Sequence, residues 1–118
     1  MRTDLASLNS GKACAQAHHA GTHLSYCHGN RQQYREWVKQ ADGFGTVITL
    51  SVSEAIINAV LKEYKHKDDI CGRIVDPTYP VRDGEITHKV ECLTCAYVLS
   101  YDSEHPGLRI INNLELHK

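Results

Sequence analysis

The sequence contains no long apolar run. No stretch approaches the roughly 18 apolar residues that a membrane-spanning helix requires. The first residues, MRTDLASLNS, also lack the apolar core of a secretory signal. With 42% hydrophobic and 23% charged residues, the composition is that of a soluble globular domain. We therefore expect a cytoplasmic protein with no membrane association.

An excess of positive charge is also missing. The 13 Lys and Arg residues face 14 Asp and Glu, for a formal net charge of −1. This balance argues against a domain wrapped in nucleic acid, which is normally strongly basic, but it leaves room for a local basic patch. Arg31, Arg35 and Lys39 recur at every fourth residue and predict a cationic stripe on one helix face. A solvated face that also holds Gln32 and Glu36 is the ordinary explanation, and contact with phosphates is the functional one.

A disulfide framework is absent as well, because the five cysteines are an odd number without framework spacing. We expect the cysteine thiols to be reduced and the protein to bind no cofactor or metal. A zinc site is the rival interpretation, since His19, His23 and Cys27 are spaced i, i+4, i+8 on a predicted helix. Cys92 and Cys95 do not add to it, because residues three apart in a strand point to opposite faces.

The length of 118 residues suits one domain, residues 1–118, with a single core. Hydrophobic periodicity and turn residues predict an α/β protein in which helices cover a sheet. The predicted elements are a strand stub at 2–5, helices from Asn9 or Ser10 to 27, at 31–41 and at 53–65, strands at 46–52, 70–75 and 94–101, an irregular segment at 78–93 and a weak helix at 105–112.

The first predicted helix carries an unusual polar stripe. Lys12, Gln16, His19 and His23 fall within an arc of about 60°. The other side holds small groups that we expect to pack closely on the sheet, namely Ala13, Cys14, Ala17, Ala20, Gly21, Leu24 and Cys27. Such a helix needs little polar chemistry to stay soluble, so the stripe indicates a functional surface. The ordinary alternatives are a solvated first-turn lysine and hydrogen-bonded packing residues.

The run GKACAQAHHA, which follows an R-x-D-L segment, resembles the type II (archaeal and eukaryotic type) peptidyl-tRNA hydrolases. Their first helix begins with a G-K-x-x-x-Q-x-x-H-A pattern. The matching residues here are Gly11, Lys12, Gln16, His19 and Ala20, with Arg2, Asp4 and Leu5 in the lead-in.

Two downstream residues extend the resemblance. Asp76 and Thr94 fit the family's aspartate at the end of its third strand and the threonine that begins its last strand. The segment after the aspartate departs from the family, because DPTYP replaces the usual D-A-G-R-T, and the loop at 81–93 is longer. DPTYP, LTCAYV and the closing LELH are similar to a divergent bacteriophage branch.

The resemblance implies a three-layer α/β/α fold around a four-stranded mixed sheet, in strand order 2-1-4-3 with the last strand antiparallel. It implies hydrolysis of the ester between a peptide and the 3′ ribose of tRNA, with peptidyl-tRNA as the partner. The implied catalytic residues are Lys12, Gln16, His19, Asp76 and Thr94. The candidate substrate contacts are Gly11 and Thr78, together with the stripe of Arg31, Arg35 and Lys39 in its functional interpretation.

The implied roles follow from the chemistry of each side chain. Lys12 lies in the first turn of a helix, where the dipole and free N–H groups favour a phosphate or an oxyanion. Asp76 would orient or deprotonate water, Thr94 would hold the carboxylate or the water, and His19 would shuttle a proton. The alternative is a protein of the same fold that lacks catalytic activity and only binds tRNA or another protein. Tyr34 and Trp37 fit a core or a homodimer surface equally well.

Overall fold

One long β-hairpin is the centre of the fold. The computed structural model describes residues 1–118, with principal extents of 47 × 27 × 25 Å. The helices and strands, in chain order, are α1 (Ser10–His28), α2 (Gln32–Val38), α3 (Glu54–Glu63), β1 (Ile70–Asp83), β2 (Ile86–Leu99) and α4 (Leu108–Ile111), with a short 3₁₀ turn at Ala41–Gly43. None of the helices is both long and apolar enough to cross a membrane.

Strands β1 and β2 pair antiparallel from Ile70 opposite Leu99 to Asp83 opposite Ile86. A two-residue loop joins them, and Gly84 at its first position has φ +60°, which type II′ hairpin turns require of that residue. The prediction of an irregular segment at 78–93 is therefore wrong. The Asp83-Gly84 pair is a hairpin signal, and both flanking segments continue the strands.

The expected four-stranded mixed sheet is wrong, since the only sheet has two antiparallel strands. The segment at 46–52, with its β-branched residues, forms no strand, and Val47 and Ile48 are 71% and 69% exposed. Single bridges connect Val52 to Arg2 and Leu50 to Leu116. Residues 46–48 make no backbone–backbone hydrogen bond, and residues 49–52 bond only to the short segments at 1–3 and 115–117. High β propensity does not supply a longer partner.

The N-terminal residues connect the segment at 46–52 to β2 through a short series of backbone hydrogen bonds. The Thr3 N–H donates to the Val52 carbonyl at 2.8 Å, and the Arg2 N–H donates to the Thr94 carbonyl at 3.0 Å. The predicted strand stub at 2–5 is thus reduced to one bridge at Arg2. These bonds anchor the chain start beside β2 without adding strands to the sheet.

The helices agree with the sequence better than the strands do. Asn9 caps α1, its side chain accepting from the Lys12 N–H, and Ser53 caps α3 in the same way at Ile56. The prediction for α1 is confirmed to within a residue. Helix α2 ends at Val38 rather than at residue 41, because the backbone turns into the 3₁₀ segment with positive φ at Ala41.

The hairpin holds apolar residues on both faces. Ile74 and Cys95 belong to the cluster that Ala13 and Ala20 of α1 pack against. Ala96 packs instead against the cluster of Val52, Ile57 and Leu93, which includes α3. Adjacent residues of a strand point to opposite faces, so the two helices cover different sides of the hairpin.

The orientation of α1 differs from our expectation. The two buried residues of the helix are Gln16 and Leu24, whereas Cys14, Ala17 and Gly21 on the small-residue side are exposed. The helix therefore turns part of its polar stripe toward the hairpin. Hydrogen bonding explains this orientation, because the hairpin offers polar partners at the matching positions.

Gly72 permits a close cross-strand contact. A Cβ atom built on it would lie 2.5 Å from the ring and hydroxyl of Tyr97, its partner in the hairpin. We expect Gly72→Ala to lower the free energy of unfolding by about 1–3 kcal/mol through overpacking. Gly21→Ala is the matched control, since nothing lies within 4 Å of that position, and it should add about 0.5–1 kcal/mol. Urea unfolding compares them, and equal effects would contradict the close-contact explanation.

Candidate active site

Gln16 links three distant parts of the chain. Its Nε2 donates to Asp76 Oδ2 at 2.7 Å, and its Oε1 accepts from Thr94 Oγ1 at 2.6 Å. The partners are 60 and 78 residues away along the sequence. Gln16 is 3% exposed and Thr94 is fully buried. A buried amide is stable only when both ends are paired, and here both are.

A bulge in β2 turns Thr94 toward α1. Ile74 pairs with Cys95 and Val75 pairs with Leu93, so Thr94 is an extra residue without a partner. Thr94 and Cys95 both reach Gln16, through its side chain and its carbonyl oxygen respectively. In a regular strand these neighbours would point to opposite faces.

A second bulge, in β1, follows Asp76. Asp76 pairs with Cys92 and Tyr79 pairs with Val90, which leaves one extra residue on β1. The two bulges cancel, so the pairing beyond Tyr79 has the same register as the pairing before Ile74. The hairpin could pair without either bulge. Together they alter only the stretch that carries Asp76 and Thr94, and bulges commonly re-aim side chains beside active sites.

Asp76 is held as a carboxylate. Burial on its own would raise the pKa of Asp76, but hydrogen bonds from the Thr78 N–H and from Gln16 outweigh it. The pKa of Asp76 is therefore lowered from the ordinary value of 3.8, with attraction to His19 adding to the effect. The Thr78 N–H donates to Oδ1 at 2.9 Å, and the Thr78 hydroxyl lies 3.4 Å from the same oxygen.

Lys12 lies one turn before Gln16 and contacts the next part of β1. Its Nζ donates to the Pro80 carbonyl at 2.8 Å and lies 5.0 Å from the centroid of the Tyr79 ring. No carboxylate pairs with it in the structure. The positive end of α1 adds to the positive field there, so the site favours an anionic group.

His19 and Gly11 are near this site but contribute no side-chain hydrogen bond to it. His19 is exposed, and its influence is the electrostatic attraction to Asp76. Gly11 is exposed in the first turn of α1. The structure thus brings together Lys12, Gln16, Asp76, Thr94 and Thr78, with His19 at the margin.

The basic stripe lies elsewhere. The Arg31 guanidinium donates to the Asp68 carbonyl at 3.0 Å, and that of Arg35 donates to the Asn30 carbonyl at 2.7 Å. Helical rise separates Lys12 from the other end of α1, next to this stripe, by about 24 Å. Lys39 is exposed, and none of the three side chains pairs with a carboxylate.

Of the three residues in the alternative zinc site, only His23 and Cys27 contact each other. Cys27 Sγ lies 3.6 Å from His23 Nε2, while His23 Nδ1 lies 2.8 Å from the Tyr97 hydroxyl. No group of three or more His, Cys, Asp or Glu side chains is close enough together to hold a metal ion. His23 therefore serves as a link between α1 and β2.

A cleft of about 550 Å³ lies away from this site, beside Tyr64, Asp69 and His105. The His105 ring stacks on Tyr64 with centroids 3.8 Å apart. Both of its nitrogens are occupied, Nε2 by Asp69 at 3.1 Å and Nδ1 by the Gly107 N–H at 3.0 Å. With no free nitrogen for chemistry, His105 acts as a packing group.

Sequence reasoning missed Tyr79 and Pro80 as parts of the site. The resemblance includes Asp76 but does not extend to the rest of the DPTYP segment, which contains Tyr79 and Pro80. A tyrosine flanked by two prolines was the available signal in the sequence, but its burial and its contact with Lys12 depend on the bulge. No family model and no curated protein matches this chain, so the resemblance depends on the residues themselves.

Thr94→Val tests the buried network. The substitution keeps the shape but removes the hydroxyl that donates to Gln16 Oε1. We expect the free energy of unfolding to fall by about 1–3 kcal/mol, because a buried carbonyl loses its partner. Thr94→Ser retains the hydroxyl and should lose less. Chemical denaturation measures both variants, and a valine variant as stable as the wild type would contradict the network.

Proposed function

We propose that the protein hydrolyses the ester bond between a peptide, or an N-blocked amino acid, and the 3′ ribose of tRNA. The observation that carries the proposal is the bridge that Gln16 makes between Asp76 and Thr94. These are residues that the resemblance connects with catalysis, and they meet although the expected sheet is absent. The two bulges alter the hairpin only where Asp76 and Thr94 lie, which supports a specific role for the contacts of these two residues with Gln16.

Asp76 is the group that orients the attacking water and accepts its proton. Its oxygens are fixed by Gln16 and Thr78, and its lowered pKa keeps it ionised at neutral pH. A weak base of this kind acts mainly through position, with proton transfer in the transition state. Thr94 contacts Gln16 rather than the carboxylate, so it positions Gln16 and does not hold Asp76 directly.

Lys12 stabilises negative charge. Its ammonium has three N–H donors, of which the Pro80 carbonyl takes one. The others are free for an oxygen of the substrate, either a backbone phosphate or the oxyanion that develops on the ester carbonyl. Lys12 and Gln16 are one helical turn apart, so the anion site and the carboxylate are adjacent.

The distant basic stripe suits the rest of the substrate. Arg31, Arg35 and Lys39 offer unneutralised charge, which is what phosphate contacts require. The end of α1 next to them lies about 24 Å from Lys12 along the helix, which would place them on the tRNA body while Lys12 holds the 3′ end. Recycling of peptidyl-tRNA would place the protein in the cytoplasm.

The test is release of an N-blocked amino acid from tRNA by the purified protein. Free aminoacyl-tRNA is the comparison substrate, and we expect it to be hydrolysed more slowly. Lys12→Ala should lower the rate by about 10²–10³-fold, as expected for loss of an oxyanion donor. Lys62→Ala, an exposed lysine of α3, is the matched control. Absence of release with tRNA binding intact would contradict hydrolysis and leave a tRNA-binding module.

A further inference from the structure

The surroundings of Lys12 are neutral. The ammonium contacts a backbone carbonyl, that of Pro80, and the face of the Tyr79 ring. A carboxylate would fix a lysine equally well, but it would also cancel the charge that an anionic ligand needs. A carbonyl oxygen and an aromatic face attract the cation while leaving it charged.

Tyr79 is itself held firmly. It is fully buried, and the Ser7 hydroxyl lies 3.4 Å from its phenol oxygen. It is also the first residue of β1 to resume regular pairing after the second bulge, opposite Val90. The bulge that sets the position of Asp76 therefore also sets the position of Tyr79.

We propose that Tyr79 is a positioning residue, which holds the Lys12 ammonium at a fixed place for an anionic oxygen of the substrate. The inference rests on the proposed hydrolysis and adds a determinant to that site. A free lysine side chain samples many rotamers, so a fixed ammonium loses less freedom when a ligand binds. The anionic oxygen belongs to a tRNA phosphate or to the reacting ester.

A double-mutant cycle tests the proposal. Tyr79→Leu should lower kcat/KM on the order of tenfold when Lys12 is present, the scale of a desolvated cation–π contact. In the Lys12→Ala background the same change should have no further effect. Tyr79→Phe keeps the ring and should recover most of the rate. Equal losses in both backgrounds would overturn the proposal, because they indicate a general structural role.

The kinetic constants distinguish the two sources of the anionic oxygen. If Lys12 holds a phosphate, Tyr79→Leu weakens tRNA binding and reduces its salt dependence, by at most about one phosphate contact. If Lys12 stabilises the developing oxyanion, kcat falls while the Kd of tRNA is unchanged. Both results support positioning of Lys12.

A measurement without tRNA separates this inference from the proposed function. The rate of Lys12 acylation by an amine-reactive ester can be followed by mass spectrometry, with exposed Lys62 as the internal reference. Tyr79→Leu should raise the Lys12 rate severalfold, and Tyr79→Phe should not. An inactive wild type that shows this pattern would refute the hydrolysis alone. Unchanged acylation in Tyr79→Leu would refute the positioning alone.

Discussion

Asp76→Asn is expected to lower kcat by about 10²–10⁴-fold, the usual contribution of a positioned acid–base group. It should change the free energy of unfolding by only about 1 kcal/mol. The contrast arises because an amide can replace a carboxylate in the hydrogen bonds but cannot take a proton from water. A loss of rate without a loss of stability would show that Asp76 takes part in the reaction rather than in holding the fold together.

The network can adapt to the amide. Asp76 accepts on both oxygens, from Thr78 and from Gln16. An asparagine offers one acceptor and one donor, so the Gln16 amide must rotate to present its oxygen. Thr94 can follow, since its hydroxyl lies 3.3 Å from the Ile74 carbonyl and can donate there instead.

The measurement is single-turnover hydrolysis together with urea unfolding. Asp83→Asn is the matched control, because it changes an exposed carboxylate at the end of the same strand. A control as slow as Asp76→Asn would point to a general electrostatic effect. Asp76→Asn protein with the wild-type rate would remove Asp76 from the mechanism.

Gln16→Glu is expected to have the largest effect on stability, about 3 kcal/mol at pH 8. The new carboxyl group would face Asp76 Oδ2, which is 2.7 Å from the replaced nitrogen. Two carboxylates at this distance cannot both ionise, so the pair retains a proton and its upper pKa is raised. The variant should therefore be much closer to the wild type at pH 5.

The sign of this pH dependence is opposite to that of the wild type. A raised carboxyl pKa means that the folded state binds more protons than the unfolded state, so stability falls as pH rises. In the wild type the pKa of Asp76 is lowered. The contribution of Asp76 to the free energy of unfolding is therefore present at neutral pH and is lost at acid pH. Unfolding measured from pH 3 to 8 compares the two, because the wild-type contribution of Asp76 is lost only below the ordinary pKa of 3.8.

Gln32→Glu is the control for burial. Gln32 also donates to a carboxylate, that of Glu36 at 2.8 Å, but on an exposed helix face. The like-charge pair created there should cost only about 0.2–0.5 kcal/mol. A pH dependence of equal size in both variants would contradict the buried character of the Gln16 site.

The part of the site on α1 could be predicted because it depends on local rules. An N-cap at Asn9 fixes the start of the helix, and the helical period then places Lys12 and Gln16 on one face. Which face packs inward was predicted less well. Small residues favour close packing, but Gln16 is buried because Asp76 and Thr94 complete its hydrogen bonds.

The strands could not be predicted as well, because they depend on partners remote in sequence. The segment at 46–52 has strong β propensity, but its backbone partners are only the short segments at 1–3 and 115–117, and it forms no strand. Residues 78–93 contain Pro80 and the turn pair Asp83-Gly84 and still form strands, since a two-residue loop at Gly84 sets the register. The two bulges interrupt that register and leave no periodic signal in the sequence, so the contact of Tyr79 with Lys12 could not be predicted.

The most direct test of the central claim is single-turnover release of an N-blocked amino acid from tRNA at neutral pH. Wild-type protein and Asp76→Asn would be compared at concentrations where both bind the tRNA fully. We expect rapid release by the wild type and a rate lower by about 10²-fold or more in the variant. Equal rates, or no release by the wild type, would contradict an ester-hydrolysing site at Lys12, Gln16 and Asp76.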